Sequence, residues 1–126
     1  MAALTPYQYV ILRCVPRVDR EEFLNVGVVL FCDDRDYLAA ACHVDEQRLA
    51  VFEGLNLDTL RGGLDFVSAV CAGDVEAGAV ARTSTRSRFG FLKAPRSTVV
   101  QPGQVHGGLA TDPQAELQRL LDALVR

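Results

Sequence analysis

The sequence predicts an α+β fold: a small antiparallel β-sheet of three or four strands that starts with an N-terminal hairpin or meander, helices packed on one face, and a C-terminal amphipathic helix. Two apolar runs rich in β-branched residues come first. Helical spacing begins only at Asp45, and Asp112-Pro113 opens a leucine stripe. With 126 residues, of which 49% are hydrophobic, the chain is long enough for one domain, 1–126, with its own core.

The first two strands are predicted at residues 7–15 and 23–32. Aromatic and β-branched residues dominate both runs. Pro16 ends the first run, because proline cannot donate a hydrogen bond to a strand ladder. The charged loop PRVDREE joins the two strands, and an acidic turn at 33–36 leads to a third strand at 37–43.

An antiparallel pairing that sets Arg13 across from Asn25 gives one face of this hairpin an unbroken apolar row. In the same register Ile11 faces Gly27. The apolar row pairs Cys14, Leu12 and Val10 with Leu24, Val26 and Val28. We therefore expect the core on the apolar side and a polar spot around Arg13 and Asn25 on the other.

Two helices are predicted after the meander. Asp45 is the expected N-cap of the first, and Gly54 is its expected stop. Asp58 is the expected N-cap of the second, which ends at Gly73. Its apolar residues recur at intervals of three and four, namely Leu60, Leu64, Val67, Val70 and Cys71.

The remainder of the chain is predicted to hold a short helix at 86–93, a fourth strand at 97–101 and a glycine-rich loop at 104–110 that carries His106. Asp112 as N-cap and Pro113 at the first helical position then predict the last helix. Its apolar stripe consists of Leu117, Leu120, Leu121, Leu124 and Val125.

Charge is segregated along the chain. Residues 1–76 hold 13 acids and 6 bases, whereas residues 77–111 hold no acid and 5 bases. These bases form what we name the basic segment, residues 82–96: Arg82, Arg86, Arg88, Lys93 and Arg96. The segment favours an anionic partner, either an acidic protein or a phosphate group. The net charge of −3 disfavours nucleic acid without excluding it.

Location and redox state follow from what the sequence contains. No apolar run reaches the length of a membrane span, and the first residues lack the pattern of a signal peptide, so we expect a cytoplasmic protein. The four cysteines form no CxxC pair and sit in apolar runs, so we expect free thiols. We expect no metal and no cofactor.

The polar spot is the first candidate binding site. Arg13 and Asn25, with Glu22 or its neighbour Glu21 at the strand entry, could bind a phosphate, a carboxylate or a peptide end. Gly27 would let a ligand or another backbone approach the sheet closely. The plainer interpretation is that Asn25 bonds a neighbouring loop and that Gly27 accommodates a bulge or a packed aromatic ring.

The basic segment is the second candidate site. Arg88 and Arg96 could grip phosphates, and Ser97 adds a hydroxyl beside a strand start, which suits an oxyanion. His106 is expected on a loop, where functional residues are frequent. The plainer interpretation is a solvated basic loop that neutralises the acidic remainder of the domain.

Two stretches carry a family resemblance: the hairpin YQYVILRCVPRVDREEFLNVGVVLFC and the segment RFGFLKAPRSTVVQPGQVHGGLATDP. They resemble the DUF3037 family, small bacterial proteins of unknown function. The family hallmark, an acidic residue shortly before Asn-Val-Gly, matches Glu22 and Asn25-Val26-Gly27. The resemblance implies no established reaction or cofactor. It implies an association with HipA-like kinases, whose genes lie beside those of family members.

Two functions stay open. No P-loop, GxSxG, HExxH or GxGxxG motif is present. The leading expectation is a non-catalytic accessory or protein-interaction domain, with a HipA-like kinase as the partner that the resemblance implies. The alternative is a phosphate-, nucleotide- or nucleic-acid-binding protein or enzyme that joins the basic segment with the Asn25 face in one cleft. An exposed edge at strand one or strand four would also support a homodimer.

Overall fold

The computed structural model describes residues 3–126, so residues 1 and 2 of the predicted domain lie outside the described range. The strands are β1 (Thr5–Cys14), β2 (Leu24–Cys32), β3 (Tyr37–Cys42), β4 (Val100–Pro102) and β5 (His106–Ala110). The helices are α1 (Glu46–Leu49), α2 (Leu57–Ala72), α3 (Thr85–Lys93) and α4 (Pro113–Leu124). The predicted α+β class is confirmed, as is the C-terminal helix. Within the described range, no helix combines the length and the apolar character that crossing a bilayer requires.

The strands form one antiparallel sheet in the order β3-β2-β1-β4, with β5 also beside β1. The predicted meander of the first three strands is present. On its other side β1 pairs with β4 at one end and β5 at the other. Strand one therefore has neighbours on both sides, which corrects the expectation that it offers an exposed edge.

A fifth strand lies where the sequence predicts a glycine-rich loop. β5 pairs with the first half of β1, from Thr5 opposite Ala110 to Tyr9 opposite His106. Glycine is a poor strand former, which hides this strand in the sequence. Packing nevertheless requires Gly108, because a Cβ there would lie 2.5 Å from the hydroxyl oxygen of Tyr7. The ring of Tyr7 therefore crosses β5 at a residue without a side chain.

Helices cover both faces of the sheet. Side chains alternate between the faces, so Val29 and Phe31 pack with α2 and α3 on what we call the α2 face. Val28 and Leu30 pack with α4 on the opposite side, the α4 face. The expectation of helices on one face is therefore incomplete. β2 is apolar on both sides, as in a strand buried between two layers, and α4 covers the side that the sequence assigns to the polar spot.

A β-bulge at Val26 changes the predicted pairing of β1 with β2. The predicted pairs Arg13–Asn25 and Cys14–Leu24 are confirmed. Beyond them the predicted pairs are wrong by one residue on β2, and the observed pairs are Leu12–Gly27, Ile11–Val28 and Val10–Val29. The physical reason is that Val26 is an extra residue with no partner on β1.

Gly27 lies between two neighbouring strands rather than at the polar spot. A Cβ at this position would lie 3.0 Å from the Ala41 carbonyl oxygen and from Cys42 Sγ, and 3.2 Å from Leu12 Cδ1. Leu12 and Cys42 belong to the core of the α2 face. Close approach of the β3 backbone therefore accounts for the glycine, which directly follows the bulge residue Val26.

Capping side chains set the helix starts. Asp45 and Asp112 accept hydrogen bonds from backbone N–H groups of α1 and α4, as predicted. The N-cap of α2 is Asn56 rather than Asp58, since the Asn56 side chain accepts the N–H of Thr59 at 3.1 Å and Asp58 already lies in the first turn. α2 ends at Gly73 with φ of 71°, as predicted. α1 ends at Leu49, before the predicted stop.

A hydrogen-bonded triad fastens α4 to β1. The Tyr7 hydroxyl donates to the Glu116 carboxylate, and Arg119 donates to the same carboxylate at 2.7 and 2.9 Å. The contact with Arg119 lowers the pKa of Glu116 to about 2. Burial, together with the neighbouring carboxylate, raises the pKa of Tyr7 to about 12. At neutral pH Glu116 is therefore ionised and accepts from both partners.

Candidate functional site

The residues selected from the sequence fall on two faces of the sheet. Asn25 bonds to α4, and His106 stacks on Tyr9, so both lie on the α4 face. Arg88 contacts the end of α2 and Arg96 contacts the end of α3, both on the α2 face. The sheet therefore separates the basic segment from the Asn25 face, and the two do not form one cleft.

Asn25 joins β2 to the end of α4. Its Nδ2 donates to the carbonyl oxygen of Leu124, at the end of α4, at 3.1 Å. Carbonyl groups in the last turn of a helix have no intrahelical partner, so this bond satisfies one of them. The Asn-Val-Gly centre thus has a structural explanation at each position: Asn25 fastens α4, Val26 forms the bulge, and Gly27 fits between strands.

Arg13 lies opposite Asn25 and makes a different set of contacts. Its Cζ is 4.2 Å from the centre of the Phe23 ring, a cation–π geometry. A Cβ on Gly103 would lie 3.2 Å from Nε, Cζ and Nη2, so the glycine backbone also packs closely against the guanidinium. The Nε atom is buried and has no hydrogen-bond partner among the described residues. The guanidinium is therefore fixed in place while one of its donors is unused.

Arg13 lines an open pocket of about 340 Å³. We name it the Arg13 pocket, and its lining residues are Arg13, Val15, Val18, Glu21, Phe23 and Gln101. Glu21 has φ of 55°, in the left-handed region that residues other than glycine rarely occupy. Among the ion pairs of the described residues, none joins Glu21 to Arg13. A positive and a negative side chain thus line one pocket without pairing.

Glu22, the acidic residue of the family hallmark, lies outside the Arg13 pocket. It accepts a hydrogen bond from Arg20 Nε at 2.6 Å, and both side chains are exposed. It lines a separate pocket of about 350 Å³ together with Val51 and Phe52. Of the two glutamates that the sequence offers, Glu21 is therefore the one that lines the same pocket as Arg13.

Several side chains of the basic segment make hydrogen bonds or ion pairs within the fold. Arg88 Nη1 donates to the carbonyl oxygens of Val70 at 2.9 Å and Cys71 at 2.7 Å, and its Nε donates to Thr83 O at 3.1 Å. Arg88 thereby satisfies the carbonyl end of α2. Arg86 pairs with Asp33 in the turn after β2. Two of the five bases therefore make bonds within the fold, and much of the segment lies in α3 rather than in a solvated loop.

Arg96 borders an apolar groove. It donates to the carbonyl oxygen of Phe91, and its Cζ lies 4.7 Å from the centre of the Phe91 ring. The Phe91 and Phe66 rings pack edge to face with their centroids 6.1 Å apart, and each residue is 37% exposed. We name this the Phe66 groove; its volume is about 530 Å³ and it is lined by Thr59, Gly63, Phe66, Val67, Arg96, Thr98, Val99 and Val100.

Phe66 and Gly103 are two of the site residues that sequence patterns missed. Phe66 lies on α2 but outside the apolar stripe that faces the core. An aromatic residue outside that stripe is the signal that indicates a surface role. Gly103 carries no such signal, because its close approach to Arg13 depends on how β4 pairs with β1.

Ser97 and His106 line neither site, although Ser97 stands between the groove residues Arg96 and Thr98. Ser97 is exposed and precedes β4, which starts at Val100 rather than at the predicted residue 97. The His106 ring stacks on Tyr9 with centroids 5.2 Å apart, on β5. Its position is set by a cross-strand aromatic pair rather than by a flexible loop.

The cysteines are free and lie in or against the core. Cys14, Cys32 and Cys71 are buried, and Cys42 is partly exposed. Burial raises the pKa of Cys14 to about 11 and that of Cys71 to about 12, so both thiols are protonated at neutral pH. In the part of the chain that the structure describes, no three His, Cys, Asp or Glu side chains are grouped to hold a metal ion.

Comparison with known proteins gives one match. A family model described as "Protein of unknown function (DUF3037)" matches residues 9–125, nearly the whole chain. No curated protein and no solved structure matches the chain. The family match confirms the resemblance carried by the hairpin and the later segment, and it assigns neither a reaction nor a partner.

Proposed function

We propose that this chain, which belongs to the DUF3037 family of proteins of unknown function, is a cytoplasmic, non-catalytic protein-interaction domain that binds an acidic segment of a partner protein in the Phe66 groove. One observation carries the proposal. Two partly exposed phenylalanines contact each other at the edge of an open groove, and an arginine stacks on one of them.

Aromatic and arginine side chains are the residues that most often dominate binding energy at protein interfaces. A groove of about 530 Å³ accommodates one or two apolar side chains of an extended partner segment. The groove floor consists mainly of Gly63, Val67, Val99 and Val100. Apolar residues of the partner would fill this floor, and Phe66 and Phe91 would supply the flanking rings.

Charge indicates the rest of the partner's chemistry. Residues 77–111 contain no acid, and among the residues that line the groove only Arg96 is charged. An acidic partner would meet a complementary potential there, which speeds association and selects against basic proteins. Phosphate binding along the whole basic segment is less well supported, because Arg86 and Arg88 already have internal partners.

The test is quantitative affinity capture from the native cell, with the tagged chain at its native level and the recovered proteins measured by mass spectrometry. We expect a stoichiometric protein partner, and a HipA-like kinase is the first candidate because of the family resemblance. Phe66→Ala and Arg96→Gln should each lower its recovery about tenfold, as truncation of a central interface residue does.

Leu109→Ala is the matched control. Leu109 is an apolar residue on β5 that is 62% exposed and does not line the groove. Recovery with this variant should equal that of the wild type. A wild-type chain that retains no stoichiometric protein partner would count heavily against the proposal, and so would full recovery with Phe66→Ala.

A further inference from the structure

We propose that the Arg13 pocket binds a small zwitterion with an apolar body, that is, a free apolar α-amino acid, with Arg13 holding the carboxylate and Glu21 the ammonium group. The site is separate from the Phe66 groove. On β4, Gln101 lines the Arg13 pocket, whereas its neighbour Val100 lines the groove on the opposite face. The inference therefore goes beyond the proposed interaction with a protein.

The hydrogen-bonding state of Arg13 indicates a negative ligand group. A guanidinium carries five N–H donors, all in the plane of the group. No carboxylate of residues 3–126 forms an ion pair with Arg13. Its Nε is buried without a partner, so the Nη donors are the ones that a ligand in the pocket can reach. A carboxylate accepts two parallel N–H bonds from such a fork, which makes it a fitting ligand.

The Nη donors of Arg13, unlike the buried Nε, are open to a ligand in the pocket. Phe23 at 4.2 Å and Gly103 both pack closely against the guanidinium, and a cation–π contact uses the flat face of the group rather than its N–H edge. The Gly103 N–H donates to Ile11 O at 2.8 Å, which fixes the backbone beside the guanidinium. Binding therefore orders few additional side-chain torsions, which favours affinity.

Glu21 indicates a positive ligand group in the same pocket. Its backbone is held in the left-handed region, and such strain is frequent at ligand clamps. Its carboxylate also disfavours ligands that carry two or more negative charges, such as phosphate or a nucleotide, because like charges would meet in one pocket. A ligand with one negative and one positive group satisfies Arg13 and Glu21 together.

The remaining walls indicate the ligand's body. Val15, Val18 and Phe23 give the pocket an apolar side, and Val18 and Phe23 are 50% and 43% exposed. Covering them removes apolar surface from water, which stabilises the complex. A volume of about 340 Å³ lies at the lower end of small-molecule sites, so it suits an amino acid rather than a large cofactor.

The experiment uses L-leucine as the probe, titrated into the full chain by calorimetry and by amide NMR. We expect leucine to bind and to shift the Gly103 and Phe23 amide signals first. Three further probes separate the contributions: leucinamide lacks the carboxylate, 4-methylpentanoate lacks the ammonium group, and inorganic phosphate lacks the apolar body. Each should bind at least about tenfold more weakly than leucine, the loss of one charge-assisted contact.

Two variants locate the binding. Arg13→Gln and Glu21→Gln should each weaken leucine binding at least about tenfold. Arg17→Gln is the matched control, since Arg17 lies in the same loop, is exposed and does not line the Arg13 pocket. Because Glu21 is exposed, its variant tests the site even if Arg13→Gln does not fold.

Three results would overturn the proposal: no shift of Gly103 with leucine, equal binding of 4-methylpentanoate or phosphate, or wild-type affinity of Glu21→Gln. Gly103→Ala adds an independent reading, because its new methyl group would displace the guanidinium. We expect this variant to fold, since a flexible side chain can move away, and to bind leucine more weakly than the wild type.

Discussion

Arg13 and Arg88 are both partly buried arginines, and they differ in what holds the guanidinium. Arg88 donates to three carbonyl oxygens, two of them at the end of α2. Arg13 is held by a phenylalanine ring and a glycine, and its buried Nε has no partner. The two arginines have the same residue type and charge. The number of hydrogen bonds that each guanidinium makes within the fold distinguishes the structural arginine from the one that is available to a ligand.

Replacing each arginine by methionine tests this distinction, and the largest change in stability is expected here. Arg88→Met should lower the free energy of unfolding by about 2–3 kcal/mol, because it removes charge-assisted hydrogen bonds to the carbonyl groups that end α2. Arg13→Met should change it by less than about 1 kcal/mol, because it replaces an unpaired buried donor by an apolar chain. Urea unfolding measures both values. Equal losses in the two variants would contradict the distinction.

Two adjacent glycines in α2, Gly62 and Gly63, differ in the same way: one packs against a neighbour beside the Phe66 groove and the other does not. A Cβ on Gly63 would lie 2.8 Å from Val100 Cγ2, whereas a Cβ on Gly62 meets nothing within 4 Å. Gly63→Ala should therefore destabilise the protein by about 1–2 kcal/mol through overpacking.

The neighbouring variant Gly62→Ala is the control and should stabilise the protein by up to about 1 kcal/mol through helix propensity. Thermal unfolding of the two variants gives the comparison. Opposite signs are expected, because Gly63 packs against Val100 on β4 whereas Gly62 faces open space. A stabilising Gly63→Ala would show that the seam relaxes without cost.

Glu116 and Glu21 are two carboxylates that differ in the same way, and acid should change the stability of the protein by a small amount through Glu116. Arg119 and Tyr7 hold the pKa of Glu116 at about 2, below its ordinary value of 4.5. The stability that Glu116 contributes is therefore complete above its ordinary pKa and is lost as the pH falls towards about 2. Screening by water limits it to about 1 kcal/mol.

Urea unfolding of Glu116→Gln and of the wild type across this pH range measures the contribution. The difference between the two proteins should be largest at neutral pH and should shrink as the pH falls. Glu21→Gln, which removes a carboxylate without an ion-pair partner among the described residues, should show no such convergence. A pH-independent difference for Glu116→Gln would mean that the triad contributes through packing alone.

Local signals predicted most of the elements. The hairpin and meander follow from alternating apolar runs, and the helix starts at Asp45 and Asp112 follow from capping side chains whose partners lie within one turn. β5 was not predictable in the same way. Its glycines serve the packing of Tyr7, a residue about 100 positions away in the chain that only the folded sheet brings near.

The candidate site was predictable in its parts and not in its arrangement. The pairing of Arg13 with Asn25 follows from the apolar row of the hairpin, and the structure has it. Which face α4 covers depends on long-range packing. Because α4 covers the Asn25 face, Asn25 donates its hydrogen bond to Leu124. The separation of Arg96 from Asn25 has the same origin, because α2 and α3 pack on one face of the sheet and α4 packs on the other.

The bulge at Val26 has a consequence for how this strand can change in length. In a regular strand, a single insertion or deletion sends every following side chain to the wrong face. Here Val26 and Gly27 both face the α2 side, so losing Val26 would leave Asn25 towards α4 and Val28 towards α4, each on its present face. The bulge is therefore the position in β2 where evolution or an engineer can remove one residue at the cost of a core valine while the topology stays intact.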